Sequence, residues 1–325
     1  MSRAHGLVVA VVDPGTLVGR DVKAVLEERA FPARTLHLFH SREGSDGFLA
    51  RDDDEAAFVA PLTPDALETC DVAFLCGAAA GSARVLASRT EHRCLVIDLS
   101  GLRSGGAFAT ADAPLPPGDV LLTRDPTALV LARAASLLSP LGDVRQVTAA
   151  VDRPASELGK EALDELFQQA IALAAFRSVP KARLGAQLAF NALHPADTVA
   201  WEAVVREDFA ALTRGEIRLT LLSDRAGVFH GHLLRLAVRF GEAAPAAAEA
   251  RKALLAEGTG IVAGAKLSGP VETAGRDEIH LLRLDVEGDT ARLALAFDHL
   301  RWPSSLQAVR LAERAVAERG LLPDA

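Results

Sequence analysis

The stretch best equipped for chemistry is the first, LVVAVVDPGTLVGRDVKAVLEERA, from Leu7 to Ala30. Leu7–Val12 is a short, unbroken apolar run, the pattern of a strand buried on both faces. Asp13–Gly19 is a turn of small residues, and Val18, Val22, Val25 and Leu26 then recur at helical spacing. Strand, tight turn and helix in that order open a doubly wound nucleotide-binding domain, because the turn aims unpaired helix N–H groups at a phosphate. The candidate cofactor contacts are therefore Gly15, Thr16, Leu17, Val18 and Gly19. The glycine pattern is damaged, since Asp13 stands at the first-glycine position and Thr16 at the middle one. Bare architecture is the other reading of this βα unit.

A second strand is expected over Thr35–Phe39, followed by His40, Ser41 and Arg42. Sites that select NAD place an acid at this point to bond the ribose 2′-hydroxyl. Ser41 and Arg42 suit a 2′-phosphate instead, so the cofactor expected, if any, is NADP, with Asp13 telling against it. A solvated turn is the alternative. The three thiols, Cys70, Cys76 and Cys94, show no CxxC or metal-type spacing and lie in or beside apolar runs, which reads as reduced, packed cysteines in the cytoplasm.

These residues need a scaffold, and the chain is long enough to supply one. Its 325 residues would make two domains or one large α/β domain, and 50% hydrophobic with 24% charged residues is an ordinary globular balance. A formal charge of −8 with no basic cluster argues against a nucleic-acid partner. No apolar run approaches the length of a membrane span, and none has signal-peptide form. Buried strands are expected at Asp71–Leu75 and Cys94–Leu99, with a capped short helix at Thr63–Glu68 beginning at Pro64, a helix around Ala83–Ser88 and a charged edge at Arg51–Glu55. Alternating strands and helices imply a parallel sheet with right-handed crossovers.

Beyond the Pro-rich connection ADAPLPPGD the pattern changes. A helix should begin near Thr127, with a strand at Asp143–Asp152 and a long amphipathic helix at Ala155–Ala175. Further strands are expected at Leu188–Ala192, Ile217–Leu222, Leu233–Phe240, His280–Val286 and Thr290–Phe297. Helices at Ala196–Leu212 and Ala244–Leu255 interrupt them, and a last helix, Ser304–Arg319, follows Pro303. The fold class is thus α/β: a Rossmann-type doubly wound parallel sheet over 1–126, an α+β domain over 127–302, and a C-terminal helix over 303–325 returning to the first domain.

Several stretches, taken together and in order, resemble the aspartate-semialdehyde dehydrogenase family, including its USG-1-like branch. They are VVDPGTLVG, DVAFLCGAAAGSA, VIDLSGLR, DPTALVLARAASLLSPL, ELGKEALDEL, AFNALHP, RAGVFHGH, GPVETAGRDEIHLLRLDVEGD and AFDHLRWPSSLQAVRLAE, spanning nearly the whole chain. The resemblance implies a Rossmann domain, a glyceraldehyde-phosphate-dehydrogenase-like dimerisation domain, a homodimer, and reversible NADPH-dependent reduction of an acyl phosphate. In that chemistry a cysteine thiolate attacks aspartyl phosphate, the thioester accepts hydride, and a histidine shuttles protons.

Carried onto this sequence, Arg103 matches the phosphate-holding arginine, while Arg225 and His232 match the substrate-carboxylate arginine and the catalytic histidine. Bidentate arginine suits a carboxylate. Glu202 matches the glutamate of a substrate-binding Glu-x-x-Lys pair whose lysine position would be Val205. The nucleophile is missing: Arg124-Asp125-Pro126-Thr127-Ala128-Leu129 stands where the family has Asn-Pro-Gly/Asn-Cys-Ser/Thr. The family glutamine aligns with Ala149, its Ser-Gly-Ala-Gly loop with Asp152–Ala155, and its Asp-Asn-Leu-x-Lys-Gly segment with Asp298–Pro303.

Three functions follow from this: a non-catalytic or diverged homologue with a relict anion site, an active NADP-dependent oxidoreductase, or a structural or regulatory partner of a true dehydrogenase. The resemblance places Arg103, Arg225 and His232 around one cleft. That cleft is expected to bind a small anion unless an acid such as Asp125 or Glu202 pairs with the arginines.

Overall fold

The apolar run at the start of the chain forms β1 (Leu7–Val12), and its lack of polar alternation places it in the middle of a sheet. In the computed structural model, which describes residues 6–42, 47–52, 55–63, 65–88, 94–265 and 268–321, the chain divides into two units. One is Met1–Arg124 with Ser304–Ala325, the other Asp125–Pro303.

In the first unit β1 is followed by α1 (Leu17–Glu28), β2 (Ala33–His40), β3 (Phe48–Asp52), β4 (Glu55–Pro61), β5 (Val72–Leu75), α2 (Ala79–Ser88), β6 (Leu95–Asp98), β7 (Ala107–Phe108) and β8 (Val120–Leu122). The sheet order is β3-β4-β2-β1-β5-β6-β8-β7, parallel throughout except for the β3–β4 edge pair. β1 lies between β2 and β5, so the strand order reverses beside it, which is where doubly wound sheets open a crevice at their C-terminal edge. Val9 and Val11 face Val22 and Val25 of α1, whereas Ala10 and Val12 face the opposite layer with Val85 of α2. Ala308, Leu311, Ala312 and Ala315 of the C-terminal helix, Gln307–Glu318, join the α1 layer at helical spacing. Arg29 grips Glu313 of that helix with two bonds of 2.8 and 2.7 Å.

The second unit runs α3 (Pro126–Leu138), β9 (Val144–Arg153), α4 (Lys160–Ala174), β10 (Ala192–Leu193), α5 (Thr198–Leu212), β11 (Arg218–Ala226), β12 (His232–Phe240), α6 (Ala247–Leu254), β13 (Ile261–Ala263), α7 (Pro270–Thr273), β14 (Ile279–Glu287) and β15 (Thr290–Phe297). Its mixed sheet has the order β10-β11-β9-β12-β15-β14-β13. The long strands alternate in burial: Val147, Ala149 and Val151 of β9 and Leu234, Leu236 and Val238 of β12 are buried. Thr148, Thr220, Leu222, Arg235 and Arg292 point to the other face and are exposed. The apolar run Leu293–Phe297 is buried inside its own unit, with Leu293, Leu295 and Phe297 all in the core.

Several local expectations are corrected. Ala155–Ala175 is not one helix: Gly159, at φ +85°, divides a short 3-10 turn, Ala155–Leu158, from α4. Only Ala192 and Leu193 pair as a strand where Leu188–Ala192 was expected. The reason is the buried Gln169, whose Oε1 accepts from Leu188 N and Ala189 N at 2.8 and 3.0 Å, so their amides find a side chain instead of a ladder. Ala66–Thr69 is a 3-10 turn, and Pro64 lies outside the described residues. The last helix is entered through a wide π-helical turn, Arg301–Leu306, that contains Pro303. Among the described residues no helix is long and apolar enough to cross a membrane.

Candidate functional site

In the second unit β12 begins at His232, whose imidazole stacks on Phe297 with centroids 4.9 Å apart and meets His299 edge-on at 5.0 Å. Its Nε2 lies 2.8 Å from Glu157 Oε1. Glu157 Oε2 accepts from Arg153 Nε at 2.6 Å and lies 3.6 Å from Arg225 Nη1. Arg225 reaches Asp197 with its other terminal nitrogen at 3.4 Å and donates to Pro154 O at 3.4 Å. The Arg153 guanidinium covers the Trp201 ring at 4.1 Å, which orients it. One carboxylate thus gathers two guanidinium groups and an imidazole, all four side chains at least five-sixths buried.

The electrostatics follow from that arrangement. Burial works against ionisation of Glu157, but the His232 hydrogen bond and the charges of His232 and Arg153 override it and hold its pKa at about 2. As an ionised carboxylate it only accepts, so His232 Nε2 is the donor, and Nδ1 is left buried with no partner. Burial, reinforced by His232, lowers the pKa of His299 to about 4. Asp125 goes the other way, to about 6, because it is buried and faces the Glu157 charge. Burial also lowers the pKa of Arg225.

Asp125 caps α3, its Oδ1 accepting from Thr127 N at 2.7 Å and Ala128 N at 3.2 Å, while its own N–H donates to Asp208 at 2.8 Å. Neither of the acids offered by the sequence pairs with Arg225. Asp125 is the cap, and Glu202 holds Arg206 at 3.4 Å through Oε2, its Oε1 buried without a partner. The pairing is made by Glu157 and Asp197 instead, so the condition set for anion binding is not met at Arg225. Ala149 and Val205, the aligned glutamine and lysine positions, are core residues 2% and 0% exposed. Arg153, Glu157 and His299 were missed as site residues; the signal for Glu157 was Gly159, which ends the 3-10 turn that carries it.

The first unit holds the remaining sites. Arg103 lies over the Phe108 ring at 4.6 Å, with Arg124 over the same ring at 4.4 Å. Thr16 caps α1, its hydroxyl oxygen accepting from Gly19 N at 3.0 Å, and Leu17 opens the helix. Val18 packs on the core, and Gly15 is exposed. Gly19 is required, since a Cβ there would lie 2.5 Å from Asp13 O. Ser41 donates from its N–H and its hydroxyl to Asp13, at 2.9 and 2.7 Å, and Arg42 lies 6.0 Å from the Phe48 ring centre.

A doubly wound unit joined to an α+β unit whose sheet carries a buried arginine and histidine is the architecture of a two-domain semialdehyde dehydrogenase. Residues 135–302 match the family described as "Semialdehyde dehydrogenase, dimerisation domain", and the chain belongs to that family. It is similar to an aspartate-semialdehyde dehydrogenase of Rickettsia conorii, 25% identical over 95% of this chain and 97% of the relative. It is also similar to a USG-1 protein homolog of Pseudomonas aeruginosa, 29% identical over 94% and 96%. Among solved structures, a probable aspartate-semialdehyde dehydrogenase from Pseudomonas aeruginosa superposes with a TM-score of 0.82 at 27% identity, covering 97% of this chain and 99% of that one.

The cluster makes acid stability testable. The depressed His299 pKa means that the folded state resists its protonation. Its contribution is complete above the unfolded value near 6.5 and is lost as pH falls through about 4. Urea titrations at pH 7 and pH 4 should show His299→Gln losing less stability across that window than the parent, by on the order of 3 kcal/mol. Equal losses in the two proteins would remove His299 from the acid transition.

Proposed function

We propose that this protein is a diverged aspartate-semialdehyde dehydrogenase homologue that does not run the thioester reaction and serves a structural or regulatory role as a homodimer. The observation that carries this reading is the start of α3, where the resemblance calls for a thiolate. The Asp125 carboxylate already takes the Thr127 and Ala128 N–H groups there, and residues 125–303 contain no cysteine. The three thiols belong to the first unit and are buried, and burial raises the pKa values of Cys70 and Cys76. Thr127 is 1% exposed, and an alcohol without an adjacent strong base does not substitute for a thiolate.

The ionic cluster supports the same reading. In the resemblance Arg225 and His232 face substrate; here Glu157 occupies both, and it also takes Arg153. An enzyme that must bind an anionic substrate would have to displace this carboxylate first. The purified protein is expected to show no phosphate-dependent oxidation of aspartate semialdehyde. Turnover within about a hundredfold of the usual enzyme median of roughly 10 per second would overturn the proposal.

Removing the internal anion should reopen the site. Glu157→Ala is expected to gain a rise in melting temperature with phosphate or succinate that the parent lacks, because Arg153, Arg225 and His232 then share no carboxylate. A parent protein stabilised as strongly as the variant would show that Glu157 does not close the site.

The dimer is proposed on the exposed face of the second sheet. Leu222 of β11 is 66% exposed on that face, and Thr220 of the same strand pairs in register with Thr148 of β9. Sedimentation should give a dimer at micromolar concentration, and Leu222→Glu with Thr220→Arg should shift it to monomer. A parent that sediments as a stable monomer excludes this interface.

A further inference from the structure

The cofactor implied by the family does not fit the first unit, and the misfit lies in one side chain. We propose that Asp13 bars the 2′-phosphate of a nicotinamide dinucleotide from the crevice beside β1. In a doubly wound sheet the adenosine ribose lies at the C-terminal end of the second strand, where a 2′-phosphate needs hydrogen-bond donors or a cation. The end of β2 offers Ser41, but its N–H donates to Asp13 Oδ1 at 2.9 Å and its hydroxyl to Asp13 Oδ2 at 2.7 Å. Both Ser41 donors are thus engaged by a carboxylate of the same sign as the ligand, while the neighbouring Arg42 guanidinium lies 6.0 Å from the Phe48 ring centre.

The carboxylate also fills space that the glycines leave. A Cβ built on Gly77, just beyond β5, would lie 2.0 Å from Asp13 Oδ2, and one on Gly81 would lie 2.9 Å from Ser41 Oγ. The gap between the ends of β1, β2 and β5, which a dinucleotide would enter, therefore holds the Asp13–Ser41 pair. The backbone enforces this placement. Asp13 sits at φ +60°, the left-handed region, with its N–H donating to Phe39 O at 2.7 Å, and the Thr16 hydroxyl ties the turn to Cys76 O at 2.9 Å. Aspartate tolerates this conformation better than most residues, but glycine, the residue this turn commonly carries, adopts it without strain and brings no charge.

The inference is independent of the missing nucleophile, and so is its test. Isothermal calorimetry on the full chain with NADPH, and with 2′-AMP as a probe of the 2′-phosphate alone, should give no saturable heat for the parent up to about 1 mM. Asp13→Gly, which keeps the turn and releases Ser41, should tighten both ligands by at least about tenfold. Asp13→Asn, which keeps the side-chain volume and removes the charge, provides a second variant with little risk of misfolding and should move in the same direction. Adding Ser41→Ala to Asp13→Gly removes the hydroxyl but keeps the released N–H, so it should take back part of the gain. Micromolar binding of NADPH by the parent overturns the proposal, as do folded Asp13 variants that bind no more tightly than the parent. A gain that Ser41→Ala leaves undiminished overturns the assignment of the Ser41 hydroxyl as a released donor.

Discussion

A carboxylate placed among two guanidinium groups and an imidazole, away from water, is stable only where those partners replace the hydration it has lost. Desolvating each charge costs several kcal/mol, and the attraction within the group offsets this only with close geometry. Glu157 meets that condition at 2.6 Å from Arg153 and 2.8 Å from His232, with Arg225 at 3.6 Å. The four residues come from the end of β9, the turn after it, the end of β11 and the start of β12, so the cluster ties together the strand ends at one edge of the second sheet. Removing Glu157 would take the shared counter-charge from Arg153 and Arg225 at once, a more serious loss than the net worth of either pair.

The two units independently arrive at a similar solution. In the first, Asp13 takes the donors at the end of β2; in the second, Glu157 takes the cations beside β12. In each unit, donors at the strand ends are satisfied by a carboxylate from within the chain. Family membership and fold are therefore compatible with chemistry unlike that named for the relatives, because function resides in side chains mounted on a scaffold. The packing that builds the scaffold, such as Val22, Val25 and Ala312 against β1, makes no demand on those side chains.

Much of this was legible in the sequence. The unbroken apolar runs of β1, β5 and β6 specify strands buried on both faces, and the helical spacing in α1 specifies the layer above them. The absence of any cysteine after Cys94 is likewise a property of the sequence alone. Arg225 and His232 could be singled out only through the resemblance that RAGVFHGH carries, and they meet at one carboxylate.

Which carboxylate they meet was decided by tertiary structure. Periodicity reads Ala155–Ala175 as a single helix, because a helical pattern does not register one residue in the left-handed region. Gly159 breaks it, and the preceding 3-10 turn carries Glu157 to His232, 75 positions away in sequence. The same holds for Asp13 and Ser41, 28 positions apart, and for Gln169 satisfying the amides of Leu188 and Ala189. Local propensity and hydrophobic period fix the elements, since they depend on neighbours along the chain. The partner of a buried charge depends on which strand ends the sheet order brings together, and no local pattern encodes that distance.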